Sequence, residues 1–228
     1  MSCNHSMQEI IDIRSVKTLA ETPLRENALV LSEEEKISKI EYHFAKIMHT
    51  LGLDLTDDSL NGTPQRVAKM FVTEMFSGLN PANKPAISLF DNKYGYTGML
   101  VEKDITLYSH CEHHFVPIIG KAHVAYMPGK QVLGLSKINR LVQYYAKRPQ
   151  VQERLTVQIA EALKEVLHHD NVAVVIEADH LCVASRGIKD TNSVTVTTSY
   201  SGQFKNEGVR QEFLSHIYHQ NHLPCHRL

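Results

Sequence analysis

Two short segments rich in cysteine and histidine, far apart along the chain, constrain this sequence more than any other feature. The first spans Cys111 to His114, and the second spans His180 to Cys182. Thiolate sulfur and imidazole nitrogen are the ligands that zinc prefers, usually in a tetrahedral site. If both segments bind one ion, the fold must bring them together. The spacing alone leaves open whether His113 or its neighbour is the ligand.

The number of protein ligands would decide what such a metal does. A structural zinc usually has four protein ligands, whereas a catalytic zinc keeps one position open for water. With three ligands the site suits hydrolysis at an electrophilic carbon, and a nearby imidazole could carry protons. Zinc deaminases instead use a Pro-Cys-x-x-Cys segment, to which neither Cys111 nor Cys182 belongs. The alternative without a metal is two buried cysteines beside surface histidines.

Composition excludes several classes of function. The 228 residues include 24 Lys and Arg and 25 Asp and Glu, a net charge of −1 that offers no general attraction to nucleic acid or anionic membranes. The segment from Met1 to Arg14 is too polar for a secretory signal, and no apolar run is long enough for a membrane span. We therefore expect a cytoplasmic protein whose cysteines are ligands or bystanders rather than disulfides.

Helices are predicted from start signals and apolar periodicity. Ser32 and Glu35 form a capping box, and the helix that follows should stop at Gly52. Thr63 and Ser136 are predicted to be the N-caps of two further helices. The predicted helices span residues 32–52, 63–78, 136–147, 149–166 and 211–220.

Strands are predicted at residues 86–90, 100–108, 115–126, 171–183 and 194–200. Because strands and helices are segregated, the pattern favours an α+β fold with an antiparallel sheet. A change of character after Pro81 divides the chain into an N-terminal helical region, residues 1–84, and a second domain, residues 85–228. In a continuous strand, His180 and Cys182 would project from the same face.

Basic side chains at a predicted helix start form a second candidate site. Lys137 and Arg140 lie three residues apart just after Ser136, where free backbone amides favour a phosphate group. A solvated basic turn is the alternative. Arg186 follows Cys182 closely, which favours a position near the metal.

Other polar residues allow two interpretations each. Glu153, in the first turn of a predicted helix, could interact with the helix dipole or accept two N–H bonds from a guanidine-like ligand. Arg66 is expected to be solvated on spacing alone. The tail, residues 216–228, has the histidine and cysteine content of a metal binder, but its terminal position favours adventitious binding.

Several segments together resemble the GTP cyclohydrolase I family, in its bacterial, zinc-dependent form. The resemblance covers about residues 20–221 and is specific, because independent motifs occur in order. The motifs are Thr63-Pro64-x-Arg66, Cys111-Glu112-His113-His114-Phe115, Gly134-Leu135-Ser136-Lys137-Ile138-Asn139-Arg140, Arg148-Pro149-Gln150-Val151-Gln152-Glu153-Arg154-Leu155, and His180-x-Cys182 with Arg186-Gly187.

The resemblance implies a tunnelling fold, with a four-stranded antiparallel sheet and two long helices on one side. It implies a homodecamer of two pentamers with active sites between subunits, in which residues 85–228 form the catalytic domain. The implied reaction is hydrolysis of GTP to formate and 7,8-dihydroneopterin triphosphate, the entry step to folate and pterins.

The resemblance also implies a role for each matching residue. Cys111, His114 and Cys182 match the zinc ligands, while His113 and His180 match the catalytic histidines. The residues that match substrate contacts are Gln152 and Glu153 for guanine, and Ser136, Lys137, Arg140, Arg186 and Arg66 for the ribose and triphosphate.

Rival interpretations differ in their metal ligands. A pterin synthase of the same fold would be expected to use an all-histidine zinc site, and a nitrile reductase a cysteine nucleophile without metal. A binding protein with a structural zinc would need His113 or His180 as a fourth ligand. The combination of Cys111, His114 and Cys182 argues against the first two.

Overall fold

The computed structural model describes residues 21–218, so the amino-terminal residues 1–20 and the part of the predicted metal-binding tail from residue 219 onward lie outside the described residues. The helices are α1 (Glu33–Thr50), α2 (Thr63–Lys69), α3 (Leu135–Ala146), α4 (Gln152–Leu167), α5 (Leu181–Ala184) and α6 (Glu207–Tyr218). The strands are β1 (Leu89–Asp91), β2 (Leu100–Cys111), β3 (Pro117–Tyr126), β4 (Gln131–Leu133), β5 (Pro149–Gln150), β6 (Val172–His180) and β7 (Thr195–Tyr200).

Helix α1 begins and ends where its local signals predict. The Glu35 amide donates to Ser32 Oγ at 3.1 Å, and the Ser32 amide donates to the Glu35 carboxylate at 2.8 Å, which completes the capping box. Gly52, just past the helix end, adopts a left-handed φ of 83°. On the apolar stripe, Ile47 and Leu51 remain 52% and 72% exposed, so α1 is only partly covered.

The other predicted helix starts are wrong by one to four residues, the largest error being at α6, which begins at Glu207 instead of residue 211. The N-cap residues are Gly62 in α2 and Gly134 in α3, and neither helix has a side-chain hydrogen bond at its cap. Thr63 and Ser136 therefore lie inside their helices instead of capping them. Pro149, predicted to begin a helix, belongs to β5, and α4 begins three residues later. Pairing of β5 with β2 holds this segment extended, a long-range interaction that overrides the local helix signal.

The main sheet has the strand order β5-β2-β3-β6-β7. Its four long strands are antiparallel, whereas β5 pairs with β2 in parallel through only two residues. The predicted α+β class is therefore confirmed, while the sheet has five strands instead of the four expected. Strands β1 and β4 form a separate two-stranded sheet, and β4 was not predicted.

One face of the main sheet is covered by helices, and the other is covered only in part, since Tyr108, Ile119 and Val196 are exposed. Helices α3 and α4 contribute to the larger apolar core on one face, and α6 packs through Phe213 against Ala125, Ala173 and Val175 on the other. Residues from Val172 to Ile176 are consequently all buried, which accounts for their unbroken apolar sequence. Among residues 21–218, no helix is long and apolar enough to cross a membrane.

Strand register brings the two cysteine–histidine segments to one edge of the sheet. His110 in β2 pairs with Pro117 in β3, and Ile118 in β3 pairs with His180 in β6. The end of β2, the start of β3 and the end of β6 are therefore neighbours, although they are distant in sequence. This register positions the candidate site.

Candidate active site

Cys111, His114 and Cys182 form a compact group of possible metal ligands. One donor atom from each lies within 4.8 Å of the others, with Cys111 Sγ 3.9 Å from His114 Nδ1. Cys111 is buried, Cys182 is half-buried and His114 is exposed, so the group opens to solvent on one side. Two sulfurs and one nitrogen at this spacing fit a tetrahedral metal that keeps one position for another ligand.

Hydrogen bonds in the connection from β2 to β3 bring Cys111 and His114 together. The Cys111 amide donates to Val116 O at 2.9 Å, and the Phe115 amide donates to Cys111 O at 2.8 Å. Phe115 adopts a left-handed φ of 53°, which reverses the chain. The Glu112 amide donates to a carbonyl of β5, so the short strand also supports this connection.

Cys182 reaches the group in a different way from the one predicted. The strand that carries His180 ends at that residue, and Cys182 lies in the single helical turn α5. The strand predicted over residues 171–183 therefore ends three residues early, and the condition for both residues to project from one strand face is not met. Burial raises the pKa of the Cys182 thiol, and the neighbouring Cys111 thiol raises it further. The Cys182 thiol therefore favours the protonated form unless a cation lies beside it.

Arg186 joins this group, as its position after Cys182 suggested. Its Nη1 lies 3.0 Å from His114 Nε2 and donates to that nitrogen. The guanidinium charge also lowers the pKa of Cys182 slightly against the larger effect of burial. Arg186 is exposed and therefore available to an anionic ligand beside the donor group.

His180 and Gln152 form a short polar contact near the group. His180 Nε2 lies 2.7 Å from Gln152 Oε1. Burial lowers the pKa of His180, while the charges of Glu153 and Asp179 act in the opposite direction. His180 is therefore favoured as the neutral imidazole. Glu153 is exposed in the first turn of α4, as predicted.

His113 lies on the outer side of the turn. Its Nδ1 is 3.6 Å from Cys111 Sγ, its Nε2 is 4.0 Å from Glu112 Oε1, and 64% of its side chain is exposed. Glu112 is in turn paired with Arg154 of α4, whose side chain is only 11% exposed. No role was predicted for Glu112 or Arg154, although both lie within family motifs. The two residues are 42 positions apart in the sequence, and no local sequence pattern indicates an ion pair over that distance.

The predicted phosphate-binding residues of α3 do not join the donor group within one chain. Ser109, near the end of β2, donates to Ala146 O at the last turn of α3 at 2.7 Å. Ser136 and Lys137 lie in the first turn, and a helix rises about 1.5 Å per residue, which places them about 15 Å further along the axis. Arg140 lies one turn closer to that end of α3, about 9 Å from it, and its side chain is exposed.

Arg66 is occupied at the start of its own helix. Its Nη2 donates to Thr63 Oγ1 at 2.8 Å and to Ser59 O at 3.2 Å. The chain therefore brings together the donor group, His113, His180 and Arg186, and it leaves Arg66 engaged elsewhere.

An α+β chain with a cysteine and histidine donor group, flanked by two further histidines and an arginine, defines a candidate metal-dependent enzyme. The model of one family, GTP cyclohydrolase I, matches residues 40–218. The chain belongs to the GTP cyclohydrolase I family. This family is metal-dependent, in agreement with the donor group.

Curated relatives agree with the family match. GTP cyclohydrolase 1 of Flavobacterium johnsoniae is 60% identical over 198 residues, which cover 87% of this chain and 89% of the relative. GTP cyclohydrolase 1 of an Enterobacter species is 54% identical over 202 residues, which cover 88% of this chain and 91% of the relative. GTP cyclohydrolase 1 of Vibrio parahaemolyticus is 55% identical over 195 residues, which cover 85% of this chain and 89% of the relative. A solved structure of the archaeosine synthase QueF-Like matches 47% of this chain and 96% of its own chain, with a TM-score of 0.39 and 19% sequence identity. This similarity is too low to assign the fold.

Proposed function

We propose that this protein hydrolyses GTP at C8 of the purine, releases formate and rearranges the remainder to 7,8-dihydroneopterin triphosphate, the first step of folate and pterin biosynthesis. The observation that carries the proposal is the meeting of Cys111, His114 and Cys182 beside His180, in a chain 60% identical to a GTP cyclohydrolase 1. The matching relatives are covered over about nine-tenths of their length, so their named activity transfers as a whole.

We propose zinc as the metal and Cys111, His114 and Cys182 as its ligands. Two thiols and one imidazole form a donor set that suits zinc better than magnesium or calcium, which prefer oxygen. Within residues 21–218, no fourth histidine, cysteine, aspartate or glutamate joins the three, which favours an open position over a closed structural site. When bound, the ion supplies the Lewis acidity that makes water nucleophilic at neutral pH.

His180 and His113 are assigned to proton transfer. Opening the imidazole ring of guanine requires a proton at the departing nitrogen, and release of formate requires a second transfer. A neutral His180, favoured by its lowered pKa, can accept a proton, and the exposed His113 can exchange one with solvent. Glu153 can accept two N–H bonds from the guanine edge, since its carboxylate is exposed next to the Gln152–His180 contact.

Arg186, Lys137, Arg140, Ser136 and Arg66 are assigned to the ribose and triphosphate. Arg186 is adjacent to the donor group, whereas the first turn of α3 lies about 15 Å from the helix end that contacts β2 near Cys111. A second copy of the chain could supply the distant cations to this donor group. Arg66 would have to release its present contacts to take part.

The same argument supports assembly. We propose a tunnelling fold, an N-terminal helical region up to residue 84, a catalytic domain from 85 to 228, and a cytoplasmic homodecamer of two pentamers with active sites between subunits. The exposed apolar residues Ile47 of α1 and Leu51 just after it favour a contact between copies. Sedimentation or light scattering of the full chain measures the assembly directly, and a monomer with full activity would contradict shared sites.

The function is tested by incubating the metal-loaded protein with GTP. We expect formate and a pterin, which becomes fluorescent after oxidation, in equal amounts. His113→Asn should lower kcat by about 10²–10⁴-fold, the usual contribution of a positioned proton carrier. The matched control His49→Asn, in the last turn of α1, should behave like the wild type. A metal-replete protein that releases neither product would refute the proposal.

A further inference from the structure

Gln152 is buried, and both hydrogens of its side-chain amide are used inside the protein. The residue is only 1% exposed. The amide nitrogen Nε2 lies 3.1 Å from Ile176 O of β6, 2.9 Å from Thr195 O of β7 and 3.1 Å from Thr197 Oγ1. The amide oxygen Oε1 lies 2.7 Å from His180 Nε2. The two amide hydrogens therefore serve three acceptors, and none remains for a purine.

The neighbours of Gln152 determine which way its amide points. Backbone carbonyls only accept hydrogen bonds, so Ile176 O and Thr195 O both require the NH₂ group on their side. The opposite orientation would set the amide oxygen against two carbonyl oxygens. Oε1 must then face His180, and an amide oxygen can only accept.

Two threonine hydroxyls confirm this direction independently. Thr156 Oγ1 donates to Gln152 O at 2.8 Å, which uses its single proton. At the 2.7 Å contact between the two hydroxyls, Thr197 Oγ1 must therefore be the donor. The proton of Thr197 is then also used, so Thr197 Oγ1 can only accept from Gln152 Nε2.

We propose that Gln152 is a positioning residue that holds His180 as the tautomer protonated at Nε2, and that its side chain does not bind guanine. The inference rests on the proposed function for its catalytic consequence. His180 Nε2 donates to Gln152, so Nδ1 carries the lone pair of the neutral ring. Nδ1 accepts no hydrogen bond from the described residues and is not a buried unpaired atom. Nδ1 is the nitrogen that can take up a proton during the reaction.

This assignment replaces the role that the resemblance implied for Gln152. The expected guanine pair was Gln152 with Glu153, which are neighbours in sequence at the start of α4. In the fold, Gln152 points inward across β6 and β7, while Glu153 is exposed. Guanine recognition through this segment therefore falls to the side chain of Glu153.

The tautomer is tested directly in the wild-type protein. The metal-loaded full chain, labelled with ¹⁵N in histidine, is examined by solid-state NMR, and the His180 signals are assigned by their loss in His180→Asn. We expect Nε2 of His180 to be the protonated nitrogen and Nδ1 the unprotonated one. A proton on Nδ1 of the neutral ring overturns the proposal, even if the enzyme is fully active.

Kinetics test the consequence with Gln152→Met, which keeps the length of the side chain and removes its amide. We expect kcat to fall by about 10-fold to 100-fold, within the range of lost proton-transfer catalysis, while KM for GTP and bound metal per chain stay unchanged. In a His180→Asn background, the same change should alter kcat by about 2-fold or less, because Gln152 acts through His180.

A matched control separates positioning from general damage to α4. Gln158→Met removes another buried glutamine amide of the same helix, one that bonds to Gln150, and it should leave kcat at the wild-type value. An equal loss of kcat in Gln158→Met, a rise of KM with kcat preserved in Gln152→Met, or multiplying losses with His180→Asn would each overturn the proposal. A wild-type protein inactive on GTP would remove the proposed function, yet the NMR result would still decide the tautomer.

Discussion

Arg154 supports the loop that carries two of the candidate metal ligands. Its guanidinium donates to Glu112 Oε2, to Pro149 O at 3.0 Å and, through Nε, to Gln150 Oε1 at 3.1 Å. The side chains of Arg154 and Glu112 are 11% and 27% exposed, so the ion pair is largely removed from water. Arg154→Met would leave the Glu112 carboxylate without its partner.

The expected loss of stability follows from this burial. Removing one partner of a buried ion pair costs about 3–5 kcal/mol, because the other charge remains unpaired. Glu112 keeps some contact with water, so we take the lower end, about 3 kcal/mol. For a chain of this size, 1 kcal/mol shifts Tm by about 2–4 °C, which predicts a fall of about 6–12 °C. Adding Glu112→Gln should recover part of the loss, because it removes the unpaired charge.

Thermal unfolding by circular dichroism measures this effect, at one protein concentration because assembly changes Tm. Lys121→Met is the control. Lys121 pairs with Asp104, and the two side chains are 61% and 49% exposed, respectively. Such surface ion pairs contribute about 0–1 kcal/mol. The reasoning fails if Arg154→Met melts within about 2 °C of the wild type, or if Glu112→Gln deepens the loss. We also expect Arg154→Met to bind metal more weakly, since its loop is less well held.

Three further changes probe packing, capping and the thiols. Gly120→Ala should cost about 3 kcal/mol, because the new Cβ would lie 2.1 Å from a carbonyl of β6, whereas Gly129→Ala, with its nearest atom at 4.0 Å, should leave Tm unchanged. Ser32→Ala should cost about 1 kcal/mol in denaturant unfolding, through loss of the α1 cap. Chelation of the metal in air should let Cys111 and Cys182 form a disulfide, seen as a loss of two hydrogens in mass.

Contrary results for these changes are equally definite. Equal Tm values for the two glycine variants would show that β3 and β6 can separate at no cost. An unchanged unfolding midpoint for Ser32→Ala would contradict the capping argument. Two free thiols after chelation and prolonged exposure to air would contradict the third prediction.

Local interactions made much of this fold predictable. The capping box of Ser32 and the left-handed residue Gly52 define α1 from within a few residues, and the structure confirms both. Apolar alternation likewise located the long strands, with errors of a few residues at their ends. The segment rich in Val and Ile predicted a strand over residues 171–183, and the structure has one from Val172 to His180. Its residues Val172 to Ile176 are buried because both faces of that stretch are covered.

Where the local sequence patterns gave a wrong prediction, interactions between distant segments determined the structure. Pro149 carries a helix-start signal, but its pairing opposite His110 keeps it in a strand. Cys182 was expected on a strand, but β6 ends at His180 and a helical turn follows. The ion pair between Glu112 and Arg154 had no sequence signal, because it depends on where α4 packs against the sheet edge.

By itself, the sequence determined the residue types available for chemistry, the α+β class and the family, because motifs and periodicity are properties of neighbouring residues. Only the tertiary structure decided which of those residues meet. It gathered Cys111, His114 and Cys182 through the register of β2, β3 and β6, and it left the first turn of α3 at a distance. It also turned Gln152 inward, because the carbonyls of two other strands require its amide hydrogens. The direction of a buried amide depends on partners far along the chain, and the sequence pattern around that residue cannot reveal them.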